Sequence, residues 1–279
     1  MQSMLNKKIG FIGAGNMARS LASGLINNGL PAAHLVLSDP DEGTRKAIQD
    51  QLGVTVYEHN LDVIKHSEVV VLAVKPQILR DVAEPLREAV QQHRPLVISI
   101  AAGVRSDDLE RWLGGDLALV RVMPNTAALV GSGASGMVAN AKVGDAERNL
   151  AESIMRAVGV VAWVDNEDQL DIVTALSGSG PAYYFLVMEA LEQAAVNAGL
   201  PADTARLLTL ETAYGAAKMA LESGDEPSIL RKQVTSKGGT TEAALAVLEK
   251  NGLRDIFNKA LVAASERSAE LAKLLGEDK

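Results

Sequence analysis

Short runs of continuous apolar residues at 8–12, 35–38, 69–74, 96–101 and 119–123 punctuate the first 165 positions of this 279-residue chain, and a stretch with helical spacing separates most neighbours. Apolarity that is continuous rather than alternating predicts strands covered on both faces, as in a parallel sheet flanked by helices. Helical patterns at 16–28, 41–51, 77–92 and 106–113 supply the connections. Parallel strands cannot be joined by a tight turn, so this rhythm restricts the segment to a doubly wound α/β fold. Two further candidate strands, 136–139 and 160–164, flank a helical pattern at 145–158 and extend the sheet.

From 166 onward the strand texture stops. Helical patterns run at 169–176, 182–198, 203–223, 227–234, 241–250 and 253–275, with breaks at 178–181, 199–201, 224–227 and 238–239. Glycine followed closely by proline is helix-end punctuation. The stretches 187–196 and 213–221 carry Ala and Leu on more than one face. A helix apolar nearly all round must be buried. About 110 residues of such helix exceed what one small bundle needs, so an all-α dimerisation domain is expected at 166–279, after an α/β domain at 1–165.

Apolar residues make up 47% of the chain and aromatic residues only 3%, so the core must be built from Ala, Val, Leu and Ile. A net charge of −8 argues against nucleic-acid and anionic-membrane partners. The chain has no cysteine, which excludes disulfides, thiolate nucleophiles and Cys-ligated zinc, and no metal is expected. The apolar runs are too short to span a bilayer. Positions 1–8 contain no signal-peptide core, Met4 stands as an alternative start, and a cytoplasmic location is expected.

The first strand runs directly into Gly13-Ala14-Gly15-Asn16-Met17-Ala18 and then into a helix. This is G-x-G-x-x-A in the strand–turn–helix context that a dinucleotide site demands. Gly13 permits the tight turn, Gly15 lets backbone approach a pyrophosphate, and Ala18 lets helix pack on sheet. The amides of Asn16 and Met17 start the helix and point at the anion. The second strand ends in Ser38-Asp39-Pro40. An acid here accepts from the adenosine ribose and favours NAD. Ser38, Thr44 and Arg45 are near enough to serve a 2′-phosphate instead. Ala73-Val74-Lys75-Pro76 closes the 69–74 strand at the rim where ligands bind. Asn60 sits before the preceding helix, where it can be simply its N-cap. Asn125, after Met123-Pro124, either orients a nicotinamide amide or forms an Asx turn.

Two glycine-rich breaks in the helical half, Leu176-Ser177-Gly178-Ser179-Gly180-Pro181-Ala182-Tyr183 and Thr235-Ser236-Lys237-Gly238-Gly239-Thr240-Thr241, each precede a helix. A helix start rich in hydroxyls suits a carboxylate. With the stretches Phe11 to Ala18, Ala73 to Pro76 and Ala101-Ala102-Gly103-Val104, these residues resemble the pyrroline-5-carboxylate reductase family over nearly the whole chain. The resemblance implies a Rossmann domain at 1–165 and a helical domain at 166–279 that interlocks with its twin, as a homodimer or a larger ring of dimers. It implies reduction of 1-pyrroline-5-carboxylate to L-proline by NADPH, with NADH as the alternative. It assigns Thr241 to the substrate ring nitrogen, Ser236, Gly238, Gly239 and Thr240 to the carboxylate loop, and Asn60 to the adenosine end. Lys237 departs from the proline usual in that loop.

None of the four histidines lies near these loops. A protonated imine is already an electrophile, so no strong acid is required. Two rival readings are a β-hydroxyacid dehydrogenase, for which Lys218 is the candidate acid/base, and a non-catalytic nucleotide sensor.

Overall fold

Four consecutive buried residues recur in β1 (Ile9–Ile12), β2 (Leu35–Ser38), β4 (Val69–Leu72) and β5 (Leu96–Ser99). With β3 (Thr55–Tyr57), β6 (Leu119–Met123), β7 (Gly133–Ala139) and β8 (Gly159–Trp163) they form one sheet, ordered β3-β2-β1-β4-β5-β6-β7-β8, in the computed structural model. The structure describes residues 6–277. Met4 and the outermost positions of the two expected domains lie outside them.

Successive residues along each strand enter different cores. Ile9, Phe11, Val69, Val71, Ile98, Val120 and Val122 pack in one apolar cluster. Ile12, Val70, Leu72, Val97 and Leu119 pack in the other. Helices cover both faces, which is why the strands read as unbroken apolar runs. All neighbouring strands are parallel except β6 and β7. Strand order reverses at β1, which pairs with β2 on one side and β4 on the other. A doubly wound sheet binds its ligand beyond the carboxyl ends of strands at this reversal.

Several elements differ from the sequence expectation, each for a local reason. The helical pattern at 77–92 is two α-helices, Pro76–Ala83 and Arg87–His93, joined by a 3₁₀ turn at Glu84–Leu86. Pro85 lacks an N–H and its ring opposes the carbonyl four residues earlier, so one helix cannot continue through it. β3 is only three residues long and starts on the exposed Thr55, too little for a pattern. The expected break at 178–181 is not an open helix start. The helix Glu167–Val173 continues as a π-helical turn, Thr174–Gly178, into the helix Gly180–Asn197. The Ser179 N–H donates to the Thr174 carbonyl at 2.8 Å, so the ladder crosses the break and does not leave a row of free amides there.

Two compact units are distinguished: 1–179 with 263–279, and 180–262. The first contains the sheet. In the second, the helices Gly180–Asn197, Ala202–Ser223, Pro227–Gln233 and Thr240–Lys250 bury only Gly180 and Ala205 among their described residues. Phe185, Leu186, Leu207, Tyr214 and Leu221 stand exposed, Leu221 at 85%. Helices apolar on nearly every face therefore lack a core within the single chain. No described helix is long and apolar enough to cross a membrane.

Candidate active site

Beyond β1 the chain turns at Gly13, whose φ is +95°. A Cβ there would meet the Ala73 carbonyl oxygen at 2.8 Å, so glycine lets the loops after β1 and β4 touch. The Gly13 N–H donates to the Ser38 carbonyl at 3.0 Å, and the Ala73 N–H to the Ile12 carbonyl at 2.8 Å. The rim loops after β1, β2 and β4 are thus one hydrogen-bonded platform. Gly15 caps the helix Asn16–Asn27, which has no acidic residue in its first turn. A Cβ at Gly15 would meet no protein atom within 4 Å. Open space outside a helix start with an unneutralised positive end is what a pyrophosphate requires. Asn16 is exposed there, Met17 half-buried and Ala18 buried. The residues fit a dinucleotide.

At the end of β2 the candidates are engaged with one another. Asp39 accepts from the Ala14 N–H at 3.2 Å and from the Asp41 N–H at 3.0 Å. Ser38 is fully buried, and its hydroxyl donates to Asn60 Oδ1 at 2.8 Å. Asn60 is the first residue of the helix Asn60–Lys65 rather than its cap, and no side chain caps that helix. Arg45 donates to the Asp39 and Pro40 carbonyls at 3.0 and 2.8 Å and faces Glu58 at 3.5 Å. Asp41 caps the helix Glu42–Leu52. The Thr44 side chain, and after it the Thr44 N–H, hold its carboxyl below the usual carboxylate range.

On the other side of the reversal, Val74 packs under Gly13, and Lys75 is exposed ahead of Pro76, which opens the next helix. Asn125 forms no Asx turn. Its Nδ2 donates to the Ser177 carbonyl at 3.0 Å, and its Oδ1 accepts the Ala134 N–H at 3.1 Å.

In the helical unit, Gly238 adopts φ +71° and leads to Gly239, the N-cap of Thr240–Lys250. The Gly238 N–H donates to Glu242 Oε2 at 2.6 Å, and the Gly239 N–H to the Ser236 carbonyl at 3.1 Å. Two of the expected anion-binding amides are therefore occupied internally. The Thr240 and Thr241 amides open the helix and have no acceptor among the described residues. Thr240 and Ser236 are exposed and Thr241 is half-buried. The sequence motifs assign Glu242 no role. As the third residue of the helix it holds the capping-box position, although here it reaches Gly238, one residue before the N-cap Gly239. Lys218 is a half-exposed surface residue 3.9 Å from Glu222, one turn along its helix. His59, His66 and His93 are exposed.

The chain is similar to known proteins over nearly its whole length. A family model described as pyrroline-5-carboxylate reductase dimerisation matches residues 167–271. One described as NADP oxidoreductase coenzyme F420-dependent matches 8–103. Pyrroline-5-carboxylate reductase of Pseudomonas aeruginosa is 48% identical over 98% of this chain and 100% of its own length. Among solved structures, a pyrroline-5-carboxylate reductase from Coxiella burnetii superposes with TM-score 0.92 at 47% identity, covering 95% of this chain and 98% of that one. The Plasmodium falciparum pyrroline carboxylate reductase with NADP bound superposes with TM-score 0.83 at 31% identity, covering 96% of this chain and 99% of that one. The chain belongs to the pyrroline-5-carboxylate reductase family.

Proposed function

We propose that this protein reduces 1-pyrroline-5-carboxylate to L-proline, the last step of proline biosynthesis, with NADPH as the preferred donor and NADH as the alternative. The reduced nicotinamide supplies a hydride to the imine carbon when bound. The chain's own residues bind, orient and polarise. Gly13, Ala14, Gly15, Asn16 and Met17 hold the pyrophosphate. Ser38, Asp39, Arg45 and Asn60 form the adenosine end, and Ala73, Val74, Lys75, Pro76 and Asn125 border the nicotinamide half.

The observation that carries the substrate assignment is the turn at 236–241. Gly238 and Gly239 spend their amides on Glu242 and Ser236, and this presents the Thr240 and Thr241 amides outward. The two free amides suit a carboxylate, while Glu242 in the first turn offsets part of the positive end of this helix. The hydroxyls of Ser236 and Thr240 lie beside it, and the Thr241 hydroxyl reaches the ring nitrogen. The nitrogen gains an electron pair as the C=N bond is reduced, and a hydroxyl partner steadies that change. Positioning of this kind supplies several kcal/mol of barrier lowering.

Residues 1–165 serve the cofactor, and 166–279 serve substrate and dimerisation. The exposed apolar helices and the dimerisation family model support a homodimer, which larger rings can extend. A biosynthetic family and an acidic chain fit a cytoplasmic location. The test is a steady-state comparison of NADPH and NADH with 1-pyrroline-5-carboxylate. A higher kcat/KM with NADPH is expected, and equal or greater efficiency with NADH overturns the preference.

A further inference from the structure

Extended backbone sends alternate side chains to one side, and along and beyond β6 that side carries Arg121, Met123 and Asn125. Asn125 continues the extended course at φ −131° and ψ 170°. The intervening Val120 and Val122 face the apolar core. All three side chains meet one short piece of chain, 167–178. Arg121, 5% exposed, forms an ion pair with Glu167. Met123 lies against Gly178, where a Cβ would stand 2.5 Å from Met123 Cε. Asn125 binds the Ser177 carbonyl. The result is a ladder of three rungs between β6 with its extension to Asn125 and the segment 167–178, which ends in the π-helical turn Thr174–Gly178.

The lower rung is anchored from several directions. Glu167 also accepts from the Ser106 N–H at 3.1 Å and from its hydroxyl at 2.6 Å. One turn along, Asp171 accepts from Arg105 at 2.7 Å and from the Ser268 hydroxyl at 2.7 Å. Burial pushes the Arg121 guanidinium down to about 10, a measure of what desolvating it costs. Well-packed apolar residues would serve stability at least as well as a buried ion pair. What the pair adds is direction. The piece it holds is a π turn, an uncommon geometry that needs support and is frequent at functional sites.

We propose that Arg121, Glu167 and Asn125 are positioning residues that hold the Thr174–Gly178 turn in one register against the carboxyl end of β6, and that this register sets hydride-transfer geometry at the nicotinamide end of the cofactor. The inference rests on the function proposed above. In a doubly wound sheet each half serves one mononucleotide, and the acid after β2 marks the adenosine half, so the β4–β6 rim faces the nicotinamide. The ladder braces that rim and leaves the pyrophosphate loop after β1 untouched.

Asn125→Ala removes the upper rung at the partly open rim, and Glu167→Gln removes the charge of the lower rung while keeping its shape. Each is expected to lower kcat about 10- to 100-fold, as a displacement of about 1 Å does. The NADPH Kd of Glu167→Gln, a residue with no place at the cofactor, should stay within about twofold of the parent in a fluorescence titration. The double variant should lose less than the product of the two single effects, because the rungs act on one element. Thermal melts check folding, and if Glu167→Gln fails to fold, Asn125→Ala alone decides. Turnover within about twofold of the parent in the folded variants overturns the ladder. So does an NADPH Kd of Glu167→Gln that rises in step with its loss of turnover. A parent that consumes no NADPH with 1-pyrroline-5-carboxylate overturns the proposed function and the ladder with it. An active parent with unaffected variants overturns the ladder only.

Discussion

Gly13 shows how much of the site one residue decides. Its φ of +95° and the 2.8 Å approach to the Ala73 carbonyl leave no place for a side chain. Gly13→Val is expected to weaken NADPH binding at least tenfold in a fluorescence titration, because a strained or displaced turn moves the amides that face the pyrophosphate. Thr241→Ala should lower turnover by about 10²-fold or more if the hydroxyl acts in the transition state. A steady-state assay showing unchanged kcat would remove Thr241 from that role. The glycine spacing at 13–18 was legible because it is local and its physics is backbone physics. The pairing of Ser38 with Asn60 and of Asn125 with Ser177 was not, since it joins residues 22 and 52 positions apart. Asp39 illustrates the same limit. A sequence motif offers it to a ribose, while the fold also sets its carboxylate on the Ala14 N–H.

At the scale of elements, the long apolar runs were readable and the short or irregular pieces were not. β2 and β6 carry their boundaries in their composition, whereas β3 lies at the sheet edge with only three residues. The antiparallel turn of β7 against β6 leaves no trace in hydrophobic period, because period reports burial and not direction. Arg121 in β6 is the residue most out of keeping with its strand, and its partner explains it. Arg121→Met is expected to cost about 3–5 kcal/mol in denaturant unfolding, because Glu167 would keep a partly buried charge without its partner. A second electrostatic feature ties the approach to β6. Hydrogen bonds from Lys142 and Arg94 hold the Asp116 carboxyl at about 2, below the ordinary 3.8. A carboxyl depressed in the folded state adds stability above its unfolded pKa, and that stability is lost as pH falls through its folded value. Asp116→Asn should therefore lower the urea midpoint near about pH 5, and the difference from the parent should shrink toward about pH 2. A difference that is independent of pH would count against the pairing.

The whole molecule combines a sheet with a complete core and a helical unit that leaves its apolar faces open within one chain. The sequence pattern already required burial of those helices, and the single chain does not supply it. A second copy is the partner the dimerisation family model points to. Analytical ultracentrifugation over a dilution series, run beside the activity assay, should show turnover falling as the dimer dissociates. A fully active monomer would contradict the dimer as the working form. The central claim is the reaction itself, and it is tested most directly by following NADPH absorbance on addition of 1-pyrroline-5-carboxylate and assaying L-proline in the product. The expected result is loss of absorbance with one proline formed for each NADPH consumed. No loss with either NADPH or NADH, or loss without proline, would contradict it.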